Sequence, residues 1–197
     1  EAMQACPGVR PNRTWEAADA LSRHGIDYDF IDAKSIQNAE AGDGVLRVAD
    51  EEYRILILVD AKAMRWDALR KIRDFARGGG TVIVVGEEPT ASNRTGANDP
   101  QVAEIVREAL SNGVRESNPK SLPARIRALP MTPDFQTKSG EGKVLHRRIG
   151  SLDVYMTMHV RRGDEIFLRS VGSVEIWNAW NGTMERKPIL RRTDKGV

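Results

Sequence analysis

Two indole rings and two carboxamides fall within six residues in Trp177-Asn178-Ala179-Trp180-Asn181-Gly182. An aromatic face stacks on the C–H groups of a sugar ring while amides read its hydroxyls, so Trp177, Trp180 and Asn178 are candidate carbohydrate contacts. The competing reading is packing. Strand alternation sends Val174 and Ile176 to one face and Glu175 with Trp177 to the other, which leaves Trp177 half-buried and lets Trp180 close the end of a core. A second set of polar residues follows apolar runs: Asp32, Asp60, Gly86, Glu87 and Glu88. Open parallel sheets bind ligands at the carboxyl ends of their strands. Asp32, Asp60 and Glu87 are therefore a candidate strand-end ligand site, able to hold a divalent cation or to act as an acid/base pair. The plainer reading is that loops are polar and helix N-termini favour a negative side chain.

Other chemistry is disfavoured by pattern. The one cysteine, Cys6, sits between Ala5 and Pro7, with no basic activator beside it and no partner for a disulfide or a cysteine zinc cluster. No Gly-x-Ser-x-Gly elbow follows Val59 or Val85, so a nucleophilic hydrolase is not indicated and no catalytic residue is assigned. Gly78-Gly79-Gly80 precedes an apolar run, whereas a phosphate cradle lies between strand and helix; it reads as a helix stop. His24, His146 and His159 are scattered; His146 and His159 could share a metal across neighbouring strands, but ordinary strand positions suit them better. Asn12, Asn93 and Asn181 each open an Asn-x-Thr triplet, a pattern frequent by chance. No cofactor is expected.

The elements that must carry these residues alternate in the first half. Trp15, Ala18 and Leu21 share a helical face that Thr14 can cap and Gly25 can end. Strand-like runs follow at Tyr28–Ile31, Val45–Val48 and Tyr53–Val59. Ile55–Val59 and Thr81–Val85 are apolar on both faces, which predicts adjacent central strands covered by helices. Between them Trp66–Arg77 forms a helix with Leu69, Ile72 and Ala76 on one stripe; Asp99 and Pro100 open another, with Val102, Ile105, Val106 and Leu110 inward. This alternation predicts a parallel sheet with right-handed crossovers. No β run opens residues 1–13. Either a short irregular strand lies near Val9, or the sequence begins inside the unit; the second is the expectation. Residues 117–142 are rich in Pro, Ser and Gly and read as a linker, with one helical turn near Pro123–Leu129. Beyond Gly142 closely spaced strands predict an antiparallel meander with turns at Gly150-Ser151, Arg162-Gly163 and Gly172-Ser173, and a tight Asn181-Gly182 turn.

The 197 residues carry 30 Lys and Arg against 28 Asp and Glu, a net charge of +2, with 40% hydrophobic residues. That balance suits a soluble globular protein and disfavours a dedicated nucleic-acid binder. The longest apolar run is too short to span a bilayer, and no signal-peptide pattern opens the sequence.

Several stretches together resemble the region after the catalytic barrel in large α-L-rhamnosidase-like glycoside hydrolases (family 106). They are Leu21–Asp32, the Gly44-Val45-Leu46 strand, Ile55–Val59, Gly79–Ile83, Leu145-His146-Arg147-Arg148, Leu152-Asp153-Val154-Tyr155 and Val174–Gly182. The family has a His-Arg pair, an Asp-x-Tyr-Phe strand and a Glu-x-Trp-Asp-Pro-x-Thr-Gly turn; here Met156 replaces the aromatic, and Asn178-Ala179 replace Asp-Pro. The resemblance implies a flavodoxin- or amidotransferase-like parallel sheet with flanking helices (1–116), the linker (117–142) and a smaller antiparallel β segment (143–197) that begins a β-sandwich region. It implies an accessory fragment whose partner is the catalytic barrel, carbohydrate being a further candidate partner, in a periplasmic or extracellular protein. The acid and base carboxylates would lie on that barrel. The rival expectation is an independent small-ligand or metal-binding α/β module using the strand-end acids.

Overall fold

The computed structural model describes residues 12–197; Cys6 and the expected irregular strand near Val9 lie outside the described residues. Two compact units form. One comprises the described residues through Ala18 with Asp29–Leu122, the other Asp19–Tyr28 with Pro123–Val197.

Helix α1 (Arg13–Arg23) is capped by Asn12, whose side-chain oxygen accepts the Trp15 N–H at 3.1 Å, two residues earlier than the Thr14 cap expected from pattern. The Tyr28–Ile31 run is not a strand. Asp32 instead caps an unpredicted helix α2 (Ala33–Asn38), accepting N–H bonds from Lys34 at 2.7 Å and Ser35 at 2.8 Å. Alternation had suggested a strand there, but an Asx cap competes directly with extended pairing. Three short strands follow: β1 (Glu40–Gly42), β2 (Val45–Val48) and β3 (Glu51–Tyr53), an antiparallel meander. Asp43 and Gly44 both have positive φ, 52° and 73°, as a two-residue type I′ hairpin requires.

The parallel ladder comes next in the chain, interleaved with helices: β4 (Ile55–Val59), β5 (Ala63–Met64), α3 (Trp66–Arg77), β6 (Thr81–Val85), β7 (Ala91–Ser92), α4 (Pro100–Ala109) and β8 (Val114–Glu116). The order is β4-β6-β8, all parallel, with Ile55 opposite Thr81 and Val59 opposite Val85. The expected adjacency of Ile55–Val59 and Thr81–Val85 holds. Of the two, β6 has a neighbour on each side, and β4 has β6 as its one strand partner among the described residues. Leu56 and Leu58 of β4 and Val82 and Val84 of β6 meet the predicted stripe of α3 (Leu69, Ile72, Ala76), the neighbouring Phe75, and Val102, Ile105 and Val106 of α4 in one core. Removing a buried ring such as Phe75 from a core of this kind costs about 3–5 kcal/mol.

The 91–99 loop ties the two helix starts together. Asn93 accepts the Trp66 N–H at 2.7 Å, an external cap for α3, whose own N-cap residue, Arg65, offers no side-chain bond. The Arg94 guanidinium lies 3.9 Å from the Trp66 ring centre and reaches Asp99 at 3.2 Å. Buried Asp99 caps α4, accepting the Ser92 hydroxyl at 2.9 Å and the Gln101 N–H at 3.0 Å. Burial alone would push its carboxyl up, but donation from Ser92, Gln101, Thr95 and Arg94 outweighs that and holds it below the usual range.

Helix α5 (Leu122–Arg127) starts on the last residue of the first unit and is followed, in the second, by β9 (Phe135–Thr137), β10 (Lys143–Ile149), β11 (Leu152–Met158), β12 (Ile166–Leu168), β13 (Val174–Asn178) and β14 (Thr183–Lys187). These do not form one meander. They form three separate antiparallel pairs, β10–β11, β9–β12 and β13–β14. Strand β12 takes β9 as its neighbour, a long-range choice that hairpin spacing cannot reveal. Gly25, with φ of 67°, lies where a Cβ would come within 2.7 Å of the buried Phe135 ring, so glycine is required there for both conformation and space. The molecule is thus a mixed α/β protein with one three-stranded parallel sheet and several small antiparallel ones.

Candidate functional site

At the carboxyl ends of β4 and β6, Asp60 takes a left-handed backbone (φ 44°), and its Oδ1 accepts the Glu87 N–H at 3.0 Å. Arg13 lies 3.8 Å from Asp60, Lys62 pairs with Glu87 at 2.6 Å, and Arg115 pairs with Glu88. Gly86, at φ 77°, sits directly beneath the Asp60 carboxylate and the Arg13 guanidinium, where any Cβ would collide with both. Asp60 and Glu87 are therefore brought together, each with a cationic partner. Asp32 is employed at the start of α2, and donation from the Ser35 and Lys34 N–H groups holds its carboxyl below the usual range. No group of three or more His, Cys, Asp or Glu able to hold a metal ion occurs among the described residues.

The densest polar arrangement in the second unit lies on one face of β10–β11. His146 and Tyr155 are register partners, and their rings stack at 4.1 Å with 4° between planes. His146 Nε2 lies 3.1 Å from Asp153 Oδ1, and Nδ1 lies 3.8 Å from Asp134. Asp153 also accepts the Ser170 hydroxyl at 2.6 Å; this bond, more than the contact with His146, holds its carboxyl below the usual range against the opposing effect of burial. Asp134 pairs with Arg169, and the Tyr155 hydroxyl donates to the Arg169 carbonyl at 3.3 Å. Burial, with the charges of Asp134 and Asp153, pushes the Tyr155 phenol up to about 12. This network was not assigned from sequence, although its signal was there. A two-residue turn at Gly150-Ser151 fixes the pairing of 149 with 152, and counting outward places the His-Arg and Asp-x-Tyr motifs opposite one another. His159 falls beyond the end of β11, roughly 13 Å of strand from the His146 position at the usual rise, so the two histidines do not converge.

The reverse face of β10–β11 carries Leu145, Ile149, Leu152, Val154, Met156 and Met158, all exposed, with Lys143 and Arg147 as the only charged residues among its eight positions. The β13–β14 hairpin is exposed along most of its length. Trp177 is 76% and Trp180 98% accessible, which overturns the expectation that Trp177 is half-buried and Trp180 closes a core. Alternation places Ile176 on the face opposite Trp177, as expected, but Ile176 is itself exposed, so neither face of the hairpin tip is covered. Asn178 accepts the Trp180 N–H at 2.9 Å, and Asn181 accepts the Thr183 N–H at 3.0 Å and hydroxyl at 2.7 Å.

An α/β unit with acids at its strand ends, joined in one chain to antiparallel hairpins bearing surface aromatics, is a class of architecture shared by many proteins. The family model is specific. Residues 13–188 match the glycoside hydrolase 106 model, described as alpha-L-rhamnosidase, and the chain belongs to that family. No curated protein and no solved structure matched the chain.

Proposed function

We propose that this chain is a non-catalytic accessory region of an α-L-rhamnosidase-family glycoside hydrolase, bracing the catalytic barrel and walling its substrate cleft. The observation that carries the reading is the uncovered face of β10–β11, where six apolar side chains stand in water. A contiguous apolar sheet face of this kind marks a surface made to be covered. Glycosidic cleavage, by contrast, needs two carboxyl groups about 5–10 Å apart flanking one bond. The strand-end carboxylates are each held by a cation or a helix start. In this reading residues 1–116 are the α/β domain, 117–142 the linker and 143–197 the β segment. The order β4-β6-β8 follows the sequence order of the last three strands of a flavodoxin-like sheet, which supports that finer assignment.

The test uses the full-length protein beside the isolated chain. Val154→Glu with Met156→Glu should leave the melting of the isolated chain unchanged, because both positions already face water. The same pair should lower the melting temperature of the full-length enzyme. The isolated chain should release no aryl alcohol from an aryl α-L-rhamnoside above the buffer rate. Turnover by the chain, or indifference of the full-length enzyme to the substitutions, would refute the reading. Calorimetry with Mg²⁺ separates it from the rival use of Asp32, Asp60 and Glu87, which predicts saturable heat lost in Asp60→Asn.

A further inference from the structure

We infer that the tip of the β13–β14 hairpin is a carbohydrate-binding platform for a neutral sugar, with Trp177 and Trp180 as stacking faces and the amide NH₂ groups of Asn178 and Asn181 as hydroxyl readers. The site is separate from the apolar face of β10–β11 and does not rest on the bracing role. Three observations carry it. The first is exposure: neither indole packs against the protein enough to leave water, so folding alone does not account for two tryptophans at one tip. Large aromatic rings held in solvent on a rigid turn are what a flat, amphipathic ligand needs.

The second is the orientation of the amides. Each Asn oxygen is committed to the loop, because its partner is a backbone N–H, which fixes the oxygen as the acceptor. The Nδ2 groups of Asn178 and Asn181 have no partner among the described residues. Two donors are therefore pinned by the turn and left pointing away from its hydrogen bonds. Preorganised donors cost little ordering entropy on binding. The third is charge. Residues 176–184 carry none. The flanking charges neutralise one another, Glu175 with Arg186 at 3.4 Å and Glu185 with Lys187 at 2.6 Å. An uncharged tip favours a neutral ligand over nucleic acid or an acidic polymer. The family model, described as alpha-L-rhamnosidase, supports a saccharide as that neutral ligand.

The test is calorimetric titration of the chain with methyl α-L-rhamnopyranoside and with a short rhamno-oligosaccharide, paired with ligand-observed NMR. Saturable binding with Kd on the order of 1 mM is expected for a single stacked ring. Trp177→Ala and Trp180→Ala should each weaken it at least about tenfold while leaving the melt within a degree or so, since both rings are already exposed. Asn178→Asp retains the acceptor for the Trp180 N–H but removes the free donor, so it should weaken binding with the turn intact. Absence of saturation with either sugar overturns the inference, as does binding that survives both Trp substitutions. It is equally overturned if sugar binding is absent and Trp180→Ala instead destabilises the full-length enzyme, which would make the tip a protein contact.

Discussion

Tyr155 shows how one side chain can report on its whole surroundings. Its ring lies flat on His146, its hydroxyl donates to the Arg169 carbonyl, and two carboxylates stand nearby. Burial and those negative charges oppose the phenolate, so the folded phenol titrates at about 12 while an unfolded one titrates near 10. The unfolded state thus gives up its proton first. The stabilising effect is whole below about pH 10 and is lost as pH rises from there through the folded value. After allowance for solvent screening, roughly 1–2 kcal/mol should disappear across that window. Denaturant titrations between neutral and strongly alkaline pH should show this decline. Tyr155→Phe should flatten it, and the ultraviolet phenolate absorbance of the native protein should lag that of the denatured chain. A wild-type alkaline limb no steeper than the variant's would contradict the assignment.

Single elements were legible where periodicity decided the outcome. The stripe of α3, the Asp99-Pro100 start of α4 and the two apolar strands all stand where pattern places them, because each is set by residues within one or two turns. What pattern could not supply was partner choice. That β12 pairs with β9 and that the Trp177 hairpin is bare are consequences of contacts far apart in sequence. The candidate site divides the same way: the Trp-Asn segment was visible from composition, whereas Asp134 and Ser170 reach the His146 network from outside its hairpin. The cap on α3 is another long-range device, supplied 27 residues away by Asn93. Asn93→Ala should therefore cost about 1 kcal/mol, the usual worth of a lost N-cap, seen as a lower urea midpoint. Asn93→Asp keeps the acceptor and adds negative charge at a helix start, and should retain wild-type stability. Equal losses in both variants would show that the Trp66 N–H bond is not what Asn93 contributes.

For the molecule as a whole, charge is unevenly shared. Pro123–Val197 holds fourteen Lys and Arg against eight Asp and Glu, although the full chain is close to neutral. The part that exposes the apolar face of β10–β11 is therefore also the basic part. Like charge keeps two copies of that face apart at low ionic strength, and salt removes the repulsion over distances beyond about 10 Å at 0.1 M. Light scattering of the isolated chain should rise with added sodium chloride, and the Val154→Glu, Met156→Glu pair should abolish the rise. Scattering that is independent of salt would mean the face does not associate through apolar contact.

The placement of the four tryptophans also divides the optical signal of the protein. Trp177 and Trp180 already emit from an aqueous setting in the native state, so unfolding can scarcely move their emission. Trp66 lies partly buried beneath a guanidinium, whereas Trp15, 5.7 Å from the Phe30 ring, is 53% exposed, so Trp66 carries most of any shift. Both belong to the unit built on the parallel sheet. A wavelength shift during denaturation is thus a reading of that unit, while the β hairpins can lose their structure almost without colour. Circular dichroism of the strands, followed beside the fluorescence, is what would make the second event visible.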